Sequence, residues 1–178
     1  VLYVGRLEKE KGVVDLLDAW HGLFKTRSDM ELILVGDGTA RAKAERRSAE
    51  PAHGGGIRLV GAKPLAEIPD WLAACDVLTL PSWNEGTPNV VLEALASGRR
   101  VVASRVGGIP DLLDPDGTGD TTLGRLVPAH APAGLNTRPL ASHTVRARRS
   151  SVQRPSPGAQ GHDSEGGAIG GHHAGLES

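Results

Sequence analysis

The sequence predicts an α/β fold, a Rossmann-like parallel sheet with helices on both faces. Two observations carry this. Short apolar runs stop at glycine, as in Val1-Leu2-Tyr3-Val4-Gly5 and Glu31-Leu32-Ile33-Leu34-Val35-Gly36. Helical patterns then alternate with such runs through short loops, which is how a parallel sheet buried on both faces is written in sequence.

The elements follow in order. After the first strand comes a charged turn, Arg6 to Gly12. Val13, Leu16, Leu17, Trp20, Leu23 and Phe24 then recur at helical spacing, giving an amphipathic helix to about Lys25. The second strand ends at Gly36. The turn Asp37-Gly38-Thr39 leads into a polar helix, roughly Ala40 to Glu50. Gly54-Gly55-Gly56 marks a flexible break before a third strand, Ile57 to Gly61. Leu65 to Cys75 holds a short helix interrupted or restarted at Pro69. Asp76 to Leu80 reads as the fourth strand, Arg100 to Ser104 as the fifth and Gly124 to Val127 as the sixth. In such sheets ligands lie outside the carboxyl ends of the strands. The turns Arg6 to Lys11, Gly36 to Gly38, Ala62 to Pro64, Ser82 to Asn89 and Val106 to Pro110 are therefore expected to carry the chemistry.

Composition bounds the rest. The 178 residues suffice for one domain with a real core, and the formal net charge of −1 gives no electrostatic case for nucleic acid or an anionic membrane surface as a partner. The single cysteine, Cys75, excludes an internal disulfide and fits a reducing compartment. No apolar run approaches the roughly 18–20 residues that span a bilayer, and no signal-peptide pattern is seen. The chain begins without Met on a strand, which suggests a fragment.

The stretch Pro81 to Gly98 is the most informative. It reads as a strand end, a Gly/Pro turn and a helix, with Pro88 in the first turn and Gly98 at the stop. Val90, Val91, Leu92, Ala94, Leu95 and Ala96 leave no polar stripe, so the helix is expected to be buried and its one carboxylate, Glu93, to have a partner. Glu85 precedes the helix, where free backbone N–H groups favour an anion or phosphate. Arg6 and Lys11 occupy the equivalent place in the first turn; two cations beside a helix N-terminus can clamp a diphosphate, or can be a solvated charged turn among Glu8, Lys9 and Glu10.

Glu85, seven residues, then Glu93, inside Glu-Gly-Thr-Pro-Asn-Val-Val-Leu-Glu-Ala-Leu-Ala-Ser-Gly, resembles the signature of family 4 retaining glycosyltransferases. From about Val1 to Val127 the chain is similar to the C-terminal, nucleotide-sugar-binding half of their two-domain GT-B fold. The resemblance implies sugar transfer from a nucleotide diphosphate sugar to a glycan or lipid-linked acceptor, with retention and without a metal or other cofactor. It implies that Gly5, Arg6 and Lys11 line the diphosphate, with Arg6, Lys11 and Glu85 as the catalytic set. Glu85 would hold the transferred sugar and Glu93 the ribose. Gly86, Thr87, Pro88 and Asn89 would lie along sugar and phosphate, and Lys63 near the base. An N-terminal acceptor domain would be missing. The alternative is a non-catalytic nucleotide-sugar-binding fragment, inactive without that domain. The family's setting implies polysaccharide or glycolipid synthesis in the cytoplasm, with possible peripheral association of the full enzyme at the inner membrane face.

Other features have plainer readings. Gly36-Asp37-Gly38 needs only backbone freedom, and Gly107-Gly108 fits either the family's paired-glycine loop or tight packing. Trp83 fits packing or a loop side chain near the sugar pocket, while Asp70 and Asp76 read as structural. Arg100 departs from the family, which usually has proline there. The first turn lacks the Gly-x-Gly-x-x-Gly of dinucleotide-binding dehydrogenases, and no P-loop is present. Residues 129–178 are rich in Gly, Pro, Ser, Arg and His, without periodicity; the expectation is a disordered or non-native tail, beyond a donor-binding domain at 1–128. His172-His173 lies there without metal-ligand spacing.

Overall fold

The computed structural model describes residues 1–50, 56–118 and 122–131. Six parallel strands form one sheet: β1 (Leu2–Val4), β2 (Leu32–Val35), β3 (Ile57–Gly61), β4 (Val77–Leu80), β5 (Arg100–Ser104) and β6 (Gly124–Val127). Their order is β3-β2-β1-β4-β5-β6. Five helices connect them: α1 (Val13–Phe24), α2 (Arg41–Ala49), α3 (Ile68–Ala74), α4 (Asn89–Ala96) and α5 (Ile109–Leu113). The Rossmann-like α/β fold expected from the alternation is present.

The topology follows from the handedness of the crossovers. Strands run outward from β1 to β3, and the chain then returns to β4 on the other side of β1. Right-handed connections put helices made in the two directions on opposite faces. Accordingly α1 packs with α2, whereas α4 packs with both α3 and α5. The core lies along the central strands, where Leu2, Leu34, Leu78 and Val101 are fully buried. Among the described residues no helix is long and apolar enough to cross a membrane.

Several expected boundaries hold. Pro69 sits in the first turn of α3, after a 3-10 turn at Leu65–Glu67. Gly98 follows α4 with φ 67°, a left-handed position that favours glycine. Arg100 begins β5 half-buried, at the strand's mouth. Pro88, expected in the first turn of α4, is instead the extended residue just before it, the helix starting one residue later at Asn89. The short helix α5 was not expected, its first turn having been read as loop.

One expectation is corrected. α4 is not buried all round: Val91 and Ala94 are buried, Val90 and Leu95 half-buried, and Leu92, Glu93 and Ala96 exposed. The helix covers one side of the sheet and turns its other side outward, so its apolar composition overstated its burial. Glu93 is exposed, and among the described residues nothing pairs with its carboxylate, so the argument that burial demands a partner fails there. Most of the expected tail, from residue 132, lies outside the described residues. Ala129, His130 and Ala131 are described, and His130 meets the folded domain through Trp83.

Candidate functional site

β1 and β4 are neighbours whose following helices leave to opposite faces, so their carboxyl ends open a crevice at the point where the strand order reverses. The first turn and the Pro81–Pro88 loop meet there. The Trp83 backbone N–H donates to the Glu10 carbonyl at 2.9 Å. Gly12, at φ 68°, lies so close to Pro81 that a Cβ would stand 2.0 Å from the proline carbonyl oxygen. Only glycine satisfies both the left-handed backbone and this approach.

Across this junction the Lys11 Nζ donates to Glu85 Oε1 at 2.8 Å, with the two side chains 22% and 11% exposed. The buried Ser82 hydroxyl donates to the same oxygen at 2.7 Å. Glu85 therefore has a charge partner and a neutral donor on one oxygen, as a sheltered carboxylate requires. Lys11 uses one of its three N–H donors here. Arg6 is exposed, and among the described residues no acceptor engages its guanidinium. Its backbone carbonyl accepts the buried Tyr3 hydroxyl at 2.7 Å. Burial, followed by the nearby Glu85 charge, pushes the Tyr3 hydroxyl well above the ordinary tyrosine value.

The β5–α5 loop braces the other side of Glu85. A Cβ on Gly107 (φ 54°) would lie 1.7 Å from the Glu85 carbonyl oxygen. The Gly108 N–H donates to the Gly86 carbonyl at 2.9 Å. The second turn is tied in as well: the Glu8 carboxylate accepts from the Thr39 N–H at 3.2 Å and from the Thr39 hydroxyl. These two bonds hold the Glu8 carboxyl below its usual range.

α4 begins at Asn89 with no side-chain cap. Among the described residues the N–H groups of Gly86, Thr87 and Asn89 meet no acceptor. Free N–H groups at a helix start attract negative charge. The crevice thus gathers one unengaged guanidinium, one ammonium with spare protons, a row of backbone donors and one oriented carboxylate. Such a set can hold a polyanion with hydroxyls attached.

Comparison with known proteins gives the family. The family model "Glycosyl transferases group 1" matches residues 1–139. The chain belongs to that family. A D-inositol 3-phosphate glycosyltransferase of Corynebacterium kroppenstedtii is 34% identical over 144 residues, covering 77% of this chain and 31% of the relative. The crystal structure of HepE from Anabaena in complex with UDP-glucose superposes with a TM-score of 0.64 at 26% identity, over 76% of this chain and 36% of that one. The C-terminal domain of LpcC, a glycosyl transferase group 1 family protein from Francisella tularensis, gives the same TM-score and identity and is covered to 70%. The chain spans about a third of the length of the curated relatives it matches.

Within this group 1 domain the expected site residues separate into two sets. Gly5, Arg6, Lys11, Glu85, Gly86, Thr87, Pro88 and Asn89 share the β1/β4 crevice. Lys63 lies two residues beyond β3, on the same edge of the sheet but past β2, and no bond links it to Lys11 or Glu85. Glu93 lies on the exposed side of α4. Sequence reasoning placed Ser82 in a turn expected to carry the chemistry but gave it no role of its own, and so missed its bond to Glu85. It also missed the Tyr3 hydroxyl and the Glu8–Thr39 tie. Among the described residues no group of three or more His, Cys, Asp or Glu side chains could hold a metal ion.

Proposed function

We propose that this domain is the donor-binding half of a retaining, family-4-like glycosyltransferase that uses a nucleotide diphosphate sugar without a metal ion. The supporting observation is the Lys11–Glu85 ion pair, set beside Arg6 and the open N-terminus of α4. HepE, whose crystal structure holds UDP-glucose, supports a uridine diphosphate sugar as the first donor to try.

In this reading the diphosphate lies between Arg6, Lys11 and the N–H groups of Gly86, Thr87 and Asn89. Breaking the bond from the sugar's anomeric carbon leaves an electron pair on the diphosphate oxygen. Arg6 and Lys11 stabilise that charge, the work a divalent metal does elsewhere. Glu85 offers Oε2 to hydroxyls of the sugar, because Oε1 already accepts from Lys11 and Ser82. Lys11 so couples the two ends of the donor, one donor on the carboxylate and others toward phosphate. Glu93 is kept as the ribose contact, reached from the surface of α4, and Lys63 as a residue near the base. The acceptor hydroxyl oxygen forms the new bond to the anomeric carbon on the face the diphosphate leaves, and its proton passes to the departing diphosphate oxygen.

A glycan or lipid-linked acceptor would be held by another domain of the full protein. Closure between domains supplies proximity and excludes water, so the domain alone binds donor and turns it over poorly. The full enzyme is proposed to work in the cytoplasm at the inner membrane face.

The test is binding of labelled UDP-glucose to the chain with and without EDTA. The proposal expects saturable binding that is unchanged by EDTA. Binding that appears only with added magnesium or manganese overturns the metal-independent part.

A further inference from the structure

Trp83 lies two residues before Glu85, and its surroundings are unusually well occupied. Its indole N–H donates to Asp15 Oδ2 in the first turn of α1 at 2.7 Å. Its backbone N–H donates to Glu10 at 2.9 Å. The Lys9 ammonium stands 5.5 Å from the ring centroid, and the His130 imidazole packs at 4.3 Å, tilted 39°. The cation and the imidazole therefore both pack on the indole, and Trp83 is not a bare platform for a sugar ring.

These bonds bracket Lys11. Glu10, the residue before it, is held by the Trp83 backbone; Gly12, the residue after it, is seated on Pro81; and Asp15, three residues further on, is held by the Trp83 indole. Both partners of the Lys11–Glu85 pair thus hang from the two segments that Trp83 joins. His130 supplies a third segment from beyond β6. It is also the one non-glycine among the described residues with a positive φ, 56°, a conformation disfavoured for a residue with a Cβ. A strained backbone that aims a ring at a functional loop persists only where surrounding contacts fix it.

We propose that Trp83 and Asp15 are positioning residues that fix Lys11 against Glu85, with His130 packing the indole in place. The proposal rests on the donor-binding reading only for its nucleotide readout. An indole N–H bonded to a carboxylate is a charge-assisted bond, strong enough to hold two loops in one register. Without it, Lys11 loses the fixed backbone from which it reaches both Glu85 and an incoming phosphate.

The experiment is a double-mutant cycle on the full chain, with UDP as the probe. Asp15→Ala and Trp83→Phe each remove the indole bond and are expected to weaken UDP about tenfold. Asp15→Asn keeps an acceptor and recovers most of that loss. In the Lys11→Ala background Asp15→Ala should have little further effect, because the positioned group is gone. A loss that is equal in both backgrounds assigns Asp15 a general structural role and overturns the proposal. The ammonium resonance of Lys11 in a 1H–15N spectrum gives a readout without nucleotide. It should be visible in the parent chain and broadened in Asp15→Ala, while circular dichroism stays unchanged. If UDP does not bind the parent chain, the donor reading fails, and the resonance alone decides the positioning role: an unchanged Lys11 signal in Asp15→Ala rejects it.

Discussion

Lys11 and Glu85 stand 74 residues apart in the chain and 2.8 Å apart in the fold. Their meeting joins the first strand-to-helix turn to the loop after β4. It depends on contacts between main chains: Gly12 against Pro81 on one side, Gly107 against Glu85 on the other. The pair is neither at the open surface nor fully buried, so its worth lies between those of the two classes. A double-mutant cycle on Lys11→Ala and Glu85→Gln, read by urea unfolding, should give a coupling of about 1–2 kcal/mol. Strict additivity would mean that the pair does not hold the loops together.

Gly107→Ala should be among the most damaging small substitutions. Its Cβ would meet the Glu85 carbonyl oxygen at 1.7 Å, and its φ of 54° already disfavours a side chain. The expected loss is about 3 kcal/mol or more, since neither backbone can easily give way. Gly117 is the control: its φ is 64°, but a Cβ there meets nothing within 4 Å. Gly117→Ala should cost only about 1 kcal/mol, the conformational penalty alone. Equal midpoints for the two variants in urea would contradict the close approach at Glu85.

Tyr3 offers a spectroscopic test, because it is the only tyrosine in the chain. Burial first, then the Glu85 carboxylate, raises its hydroxyl above the ordinary value. An acid whose folded value is raised favours the protonated fold. Its contribution is fully present below about pH 10, the unfolded value, and is lost as pH rises beyond it. Phenolate absorbance near 295 nm should therefore stay absent through the range where free tyrosine titrates, then appear together with alkaline unfolding. A smooth titration near the ordinary value in a folded chain would show that the hydroxyl is not held on the Arg6 carbonyl.

Much of the fold was legible in the sequence because its signals are local. Gly5, Gly36 and Gly61 close β1, β2 and β3, and the 3.6-residue period of Val13 to Phe24 defines α1. The crevice was legible too, since the turns after β1 and β4 carry its charges. What could not be read depends on which side of an element faces outward. α4 is so rich in aliphatics that composition gave no exposed side, yet Leu92 is 44% exposed and Glu93 lies beside it. α5 was hidden because five residues beginning Ile109-Pro110 carry less than two turns of periodic signal. The bonds from Trp83 to Asp15 and from Glu8 to Thr39 join residues 68 and 31 apart, and no local pattern announces them.

Glu93→Gln separates ligand contact from stability. Because the side chain is exposed, the substitution should change unfolding free energy by less than about 0.5 kcal/mol. If Glu93 accepts ribose hydroxyls, it should still weaken UDP about tenfold while leaving 2′-deoxy-UDP less affected. Equal affinities of parent and variant for both nucleotides would remove Glu93 from the site and confine it to the crevice around Lys11 and Glu85.

The most direct test of the central claim is calorimetric titration of the chain with UDP, GDP and ADP, repeated on the Arg6→Ala/Lys11→Ala double variant. The account predicts selective binding of one nucleotide, UDP first, lost in the double variant while its circular dichroism remains that of the parent. Unchanged affinity in a folded double variant, or a folded parent that binds none of the three, would contradict the diphosphate site at Arg6 and Lys11.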